Sequence, residues 1–462
     1  MDVKRSLLLL ALAIVVGGGV FAYLSISREQ AFSRLIAAGN AALEADQTFE
    51  AIEAFSGAIA IKGDSMLAYL RRGETYQRQG QPAAAERDLR RASRLDPTAP
   101  RPLEALGDVH FQVKNYARAA ERFADYIRLD DRSARVLYKL ALARYRGGDP
   151  AGAVPPLRQA VALDERLPEA RYLLGLCLRG AGHSQEALVE LERAVRIAPA
   201  LLVAREELAD VYGEMGRTRD EIAQLENLTG LDARPARFMA LGVAYSRAGQ
   251  HAQAVRVLGG AAERFPDDPG IYVTLGRLWL ESAQNGRDRI SLSKALEALQ
   301  AVPDDSEAGA EAKMLFGRAL LLSGDARLAE RVLQEAVTKY PLDPRAFLYL
   351  ADAAEGLGHV PDARQALLRY QALAGDDPDA SAQAQRATRI ADLSWRMSDP
   401  ATAAVWLEQA ADAGQPSARL LGRLAEAQIA CGDMDGARET IRRALAIEPR
   451  NRTLLALDRK VR

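Results

Sequence analysis

The chain has 462 residues, 48% of them hydrophobic and 27% charged, and its 61 basic and 62 acidic side chains leave a formal net charge of −1. Acids and bases are interspersed, so the basic field that nucleic acid demands is missing and no nucleic-acid partner is expected. The two cysteines, Cys177 and Cys431, form no CxxC pair, which removes zinc-ribbon and thioredoxin-like readings; both are expected to be small apolar core residues.

Residues 1–27 read as a signal-anchor segment. Lys4 and Arg5 precede an uncharged apolar run over 7–24, which reaches the lower end of a membrane span. The basic flank keeps the N-terminus in the cytoplasm and sends the remainder outward. The expectation is therefore a single-pass, bacterial-type inner-membrane protein facing the periplasm or exterior, with a membrane contact through residues 7–24. Cleavage is the alternative: residues 7–16 would serve as the apolar region of a signal peptide, Gly17, Gly18 and Gly19 would break it, and Val20, Phe21 and Ala22 would form the cleavage tripeptide. Residues 25–30 are expected to be a short linker, too short for independent swinging.

From 28 to 449 the chain repeats itself. Gly39, Gly73, Gly107, Ala141, Gly175 and Ala209 stand 34 residues apart, and Gly242, Gly276, Gly317, Ala351, Ala391 and Ala425 continue the series with small adjustments. Twelve residues further on lies a row of alanines, among them Ala51, Ala85, Ala119, Ala153 and Ala187. Four beyond that the residue is always large: Phe55, Leu89, Phe123, Leu157, Leu191. Small residues let two helices approach, and the large one fills the groove they leave. Pro97, Pro199, Pro266, Pro341 and Pro449 close repeats, while Pro82, Pro150, Pro361 and Pro400 fall where a second helix begins.

These spacings resemble those of the tetratricopeptide repeat family, best seen in Tyr69, Gly73, Tyr76, Ala85, Leu89, Ala92 and Pro97 of repeat 2. The resemblance implies an all-α fold, an α-solenoid wound as a right-handed superhelix of about twelve helix pairs, with the first helix of each pair lining a concave groove. It also implies binding of proteins or peptides without naming a ligand, because the consensus residues are packing residues. Residues 450–462 are expected to form a capping helix, with Leu454, Leu455, Leu457 and Val461 on the last repeat and Arg459, Lys460 and Arg462 toward water.

Four irregularities stand out. Pro155 and Pro156 lie inside a second helix and are expected to delay or bend it. Repeat 8 carries about seven extra residues between Trp279 and Ala295, including Gly286, Arg287, Asp288 and Arg289; these suit either an extra turn on each helix or a loop. A polar insertion over 377–383 reads as a longer turn. Repeat 6 has Glu221 where alanine is usual and Leu228 where most repeats are small, the marks of a looser joint.

No catalytic set emerges. His110, His183, His251 and His359 are scattered without metal-ligand spacing, and no phosphate-binding loop is present, so no enzyme activity, cofactor, metal or small-molecule substrate is expected. Some family members clamp an acidic C-terminal peptide with basic and Asn side chains. The matching positions here hold Ile36, Asn40, Arg71, Arg101 and Ala105, and the clamp is mostly lost. Apolar concave positions are more informative: Tyr138, Leu142, Tyr145, Tyr172 and Leu176 in repeats 4 and 5, preceded by Phe111, with Glu104, Asp108, Glu206 and Asp210 at the flanks. Met239, Val243, Val273, Leu280, Met314 and Leu321 continue the stripe. Such a stripe serves either as a peptide groove or as core between repeats. The expected function is a membrane-anchored scaffold organising an envelope assembly of secretion, pilus or polysaccharide-export type. The rivals are a receptor or chaperone-like adaptor for precursor proteins, and a regulatory adaptor completing a partner enzyme.

Overall fold

The computed structural model describes residues 3–283, 288–375 and 379–462, and the side chains of these except 3–11 and 13–15. The chain divides into two compact units, Met1–Gln224 and Leu225–Arg462. The first holds α1 (Val3–Glu44), α2 (Thr48–Ile61), α3 (Met66–Arg78), α4 (Pro82–Leu95), α5 (Arg101–Gln112), α6 (Tyr116–Leu129), α7 (Ala134–Arg146), α8 (Pro150–Leu163), α9 (Pro168–Gly180), α10 (Ser184–Ile197) and α11 (Leu202–Glu214). The division falls within α12 (Thr218–Leu231), in the repeat marked by Glu221 and Leu228. The second holds α13 (Pro235–Arg247), α14 (His251–Arg264), α15 (Pro269–Ser282), α16 (Arg289–Gln300), α17 (Gly309–Ser323), α18 (Ala326–Lys339), α19 (Pro344–Leu357), α20 (Val360–Ala374), α21 (Ala380–Arg396), α22 (Pro400–Asp412), α23 (Ala418–Cys431), α24 (Met434–Ile447) and α25 (Arg452–Val461). Among the described residues there is no strand. The helices form an α-solenoid of twelve pairs, and α25 covers α23 and α24 with Leu454, Leu457 and Val461 buried.

The small and large registers meet as the spacing requires. A Cβ added at Gly73 would lie 2.8 Å from Leu89 Cγ, at Gly175 2.7 Å from Leu191 Cγ, and at Gly242 2.6 Å from Leu258 Cγ. Only a residue without a side chain lets these helices reach that separation. In repeat 8 the partner of Gly276 is Leu299, so the register is restored after the insertion. Side-chain N-caps fix many helix starts, for example Ser65, Asn115, Ser133, Asp149, Asp268 and Asp433.

Several expectations are corrected. The helix over Pro155 and Pro156 does not start late: α8 begins at Pro150. Pro156 removes the N–H that Gly152 would have received, and Arg144 Nη1 donates to that carbonyl instead, at 2.7 Å. Neither helix of repeat 8 gains a turn, since α15 has 14 residues and α16 has 12. The extra residues lie in both connections, 283–288 and 301–308; those at 284–287 fall outside the described residues. Of the insertion expected at 377–383, residues 380–383 form the first turn of α21 rather than a longer turn, capped by Asp379, and 376–378 fall outside the described residues. Cys431 is exposed rather than core, whereas Cys177 is buried, and both are free thiols.

No linker separates the N-terminal segment from the first repeat. α1 runs through 42 residues without a break, Gly17, Gly18 and Gly19 included. Its attachment to the array begins at Arg28, whose Nε donates to the Ile61 carbonyl at 2.9 Å, and continues with a Lys62–Glu29 ion pair and Lys62 over the Phe32 ring. Among the described side chains before Arg28, Val16, Val20, Phe21, Leu24 and Ile26 are all more than half exposed. Much of the anchor expected over 7–24 falls on side chains outside the described residues; among those described, no helix is long and apolar enough to cross a membrane.

Candidate functional site

The first helices of repeats 4 and 5, α7 and α9, carry most of the expected groove residues. Tyr138, Leu142 and Tyr145 line one face of α7 at helical spacing, and Tyr172 and Leu176 occupy the equivalent face of α9. All five are half-buried. Tyr138, Leu142, Tyr145 and Leu176 rest on the core built from Leu137, Leu157, Leu173 and Leu174, while Tyr172 rests on that of Leu188, Leu208 and Tyr212. Phe111 stands apart, packed on the core of repeat 3 with its ring edge-on to Tyr116 at 5.3 Å.

The hydroxyl groups separate two kinds of tyrosine. Tyr126 donates to Asp130 at 3.2 Å, Tyr212 to Glu192 at 2.8 Å, and Tyr245 to Glu226, as structural tyrosines do. Burial and the Glu192 carboxylate push the Tyr212 phenol up to about 12. Tyr138, Tyr145 and Tyr172 hydrogen-bond no side chain or backbone group among the described residues, and none is a buried atom lacking a partner. Their rings are anchored while their polar ends stay open. Burial raises the Tyr138 phenol, helped by Glu169, and raises that of Tyr172, helped by Glu207, Tyr145 and Glu206; both remain neutral donors.

The acidic flanks belong to a ladder between successive first helices. Lys139 of α7 donates to Glu104 at 2.8 Å and to Asp108 at 2.7 Å on α5, and Arg135 reaches Glu104 at 2.5 Å. Burial opposes ionisation of Glu104, yet Lys139 and Arg135 hold its carboxyl below the usual range; burial wins at Asp108 and pushes that carboxyl up, with Glu104 adding to the rise. Arg179 of α9 gathers Glu207, Glu214 at 2.6 Å and Asp210 at 3.6 Å from α11. Burial raises the Asp210 carboxyl against the pull of Arg179. Glu206 is half-buried on the same helix. In the second unit Arg277 pairs with Glu311, Arg389 with Asp352 and Glu355, and Arg423 with Asp392. Much of the acidity read as a ligand-selecting flank is thus engaged in holding repeats together.

Half of the stripe expected beyond residue 224 is core, while Met239 and Leu321 are half-buried. Val273, Leu280 and Met314 are at most 3% exposed, and of that group Val243 alone is exposed. At the clamp positions Arg71 and Arg101 both pair with Glu74, each at 3.1 Å. One grouping escapes sequence reasoning: ligand atoms of Glu330, His359 and Asp362 lie within 4.8 Å of one another, with His359 Nδ1 2.8 Å from Glu330. Glu330 lies on α18 and the other two at the start of α20, so spacing along one helix gives no sign of it.

An α-solenoid of helix pairs, capped at its end and carrying open aromatic side chains on its first helices, is a scaffold for protein–protein interaction. The chain belongs to the tetratricopeptide repeat family: models of that repeat match residues 70–134, 104–166, 138–201, 238–268, 314–378 and 395–459, together more than half of its length. No curated protein matches it. Among solved structures it is similar to YrrB, a TPR protein with an unusual peptide-binding site, at 22% identity over 42% of this chain and 98% of that one, with a TM-score of 0.38. It is similar to PilF of Pseudomonas aeruginosa at 19% identity over 46% and 97%, TM-score 0.38. The anaphase-promoting-complex assembly Cut9–Hcn1 matches at 14% identity over 96% and 98%, TM-score 0.35. Likeness at this level carries no conclusion about ligands.

Proposed function

We propose that this chain is a non-catalytic, membrane-anchored scaffold that holds protein or peptide segments against the first helices of repeats 3 to 6 and so organises an envelope assembly of secretion, pilus or polysaccharide-export type. The observation that carries the groove is the contrast among tyrosines. Tyr138, Tyr145 and Tyr172 have rings fixed on the core and hydroxyls without a partner among the described residues, whereas Tyr126 and Tyr212 of the same unit are satisfied. Rigid aromatic rings with a free donor bury large area at low entropic cost and are over-represented among binding hot spots. The Tyr138→Ala, Tyr172→Ala double variant is expected to lose partners in a pull-down, with each ring contributing roughly 1–3 kcal/mol, while its melting temperature changes little. Retained partners with a sharp fall in melting temperature would assign both residues to the core.

The anchor rests on α1. Its exposed apolar side chains between Val16 and Ile26 have no protein surface to cover them, and the charge order at Lys4 and Arg5 points the repeats outward. Terminal sequencing of the chain recovered from membranes should find the start intact. A chain beginning at Tyr23 would show cleavage and release of the array.

A further inference from the structure

The second helices of repeats 2 and 3 flank an open recess of about 670 Å³, with Arg87, Arg90 and Arg94 exposed along it, that plays no part in the groove described above. One wall is α4, which presents Arg87, Arg90 and Arg94; the other is α6, which presents Arg122; the floor is Leu106 and His110 of α5. Arg90 is paired with Glu86 at 2.5 Å, and Arg122 with Asp125 at 2.8 Å. Arg87 has only Asp88 at 3.6 Å, a carboxylate already held by both branches of Arg72, and Arg94 has no ion pair among the described residues. Glu86 is the sole carboxylate in the lining. His110 is 4% exposed and lines the recess, yet its nearest charged partner, Glu86, stands 3.8 Å away, beyond hydrogen-bond reach.

We infer that this recess is a second binding site, which takes an acidic segment of a protein partner, a run of Asp or Glu side chains, independently of the tyrosine groove. Charge sets the sign of the ligand, since four guanidinium groups face one carboxylate. Spacing sets its form. Arg87, Arg90 and Arg94 climb one face of α4 over about 10 Å, more than one phosphate or carboxylate can span. Alternate side chains of an extended segment lie about 7 Å apart on one face, so two alternate acidic residues of such a run would meet the row. A bilayer fits less well, because the charges line a recess and only Ala83 and Leu106 among the lining residues are apolar. His110 supplies a neutral donor on the floor, since burial holds its pKa below the ordinary value; Glu86 opposes that shift, while Arg118, Arg90 and Arg122 reinforce it.

The test is fluorescence anisotropy of a labelled hepta-glutamate peptide with the full chain in detergent micelles at low ionic strength. The Arg87→Glu, Arg94→Glu double variant should bind at least roughly tenfold more weakly, with an unchanged circular-dichroism spectrum. Arg158→Glu with Arg193→Glu, which places the same charge change on α8 and α10, should leave binding intact, as should Tyr138→Ala. Equal losses in the two arginine doubles would reduce the effect to general charge attraction and overturn the site. So would absence of peptide binding, or retention of phosphatidylglycerol vesicles in its place. If the double variant does not fold, Arg94→Gln alone decides, because Arg94 is exposed and holds no other side chain in place.

Discussion

Asp88 is 2% exposed and holds the Arg72 guanidinium through two hydrogen bonds, at 2.6 and 3.1 Å, while the third nitrogen donates to Ser56 at 3.0 Å. The rings of Tyr69 and Tyr76 both lie within 6 Å of the same guanidinium. Removing one partner of such a pair leaves a charge away from water with nothing to balance it. Asp88→Ala should therefore destabilise repeat 2 by about 2–3 kcal/mol, below the fully buried range because Arg72 keeps 17% of its side chain exposed. Amide exchange in α3 and α4 should accelerate accordingly. Unchanged exchange would place the pair with surface ion pairs of no measurable effect. The buried Cys177 offers no comparable handle: burial pushes its thiol to about 11, which leaves it unreactive near neutral pH.

At the scale of helices, the sequence makes legible whatever depends on neighbours at a fixed offset. Gly73 meets Leu89 and Arg72 meets Asp88 at the same sixteen-residue step, so the helix pairs follow from periodicity alone. Proline placement reads correctly at Pro82, Pro150, Pro361 and Pro400, which all lie in the first turn of a second helix. The late start expected from Pro155 and Pro156 does not occur, and the donor that replaces a missing N–H, Arg144, sits on the preceding helix. The insertion in repeat 8 leaves two readings open in the sequence, because helix length and loop length use the same residues, and the lengths of α15 and α16 favour the loop. The continuity of α1 was hidden by the three glycines, which weaken a helix but do not end one that has a long apolar run before it and packed turns after it. The site is half legible. Spacing places Tyr138 above Leu142 and repeats them as Tyr172 and Leu176, but it cannot tell Val273 or Met314, sealed by the adjoining repeat, from a groove residue. Nor does it show that Glu104 and Asp108 are engaged by Lys139, because that contact joins one repeat to the next.

On the scale of the whole molecule, stability should be distributed repeat by repeat, since in a solenoid each pair touches only its neighbours and the energy is close to a sum of local terms. Gly175 allows a sharp test. Even a Cβ there would lie 2.7 Å from Leu191 Cγ and 3.4 Å from the Ala187 carbonyl, so the Gly175→Leu side chain can enter only by driving α9 from α10. Overpacking of this kind costs about 1–3 kcal/mol. Hydrogen exchange should show faster opening of α8 to α11, with protection in the unit Leu225–Arg462 unchanged. Because α9 carries Tyr172 and Leu176, the same variant should also weaken capture of partners by the tyrosine groove, while acidic peptide held between α4 and α6, several helices away, should bind as before. Loss of helical signal across the entire array on mild heating would contradict this picture. It would mean that the repeats unfold as one cooperative block, and that damage in one repeat reaches every surface the scaffold offers.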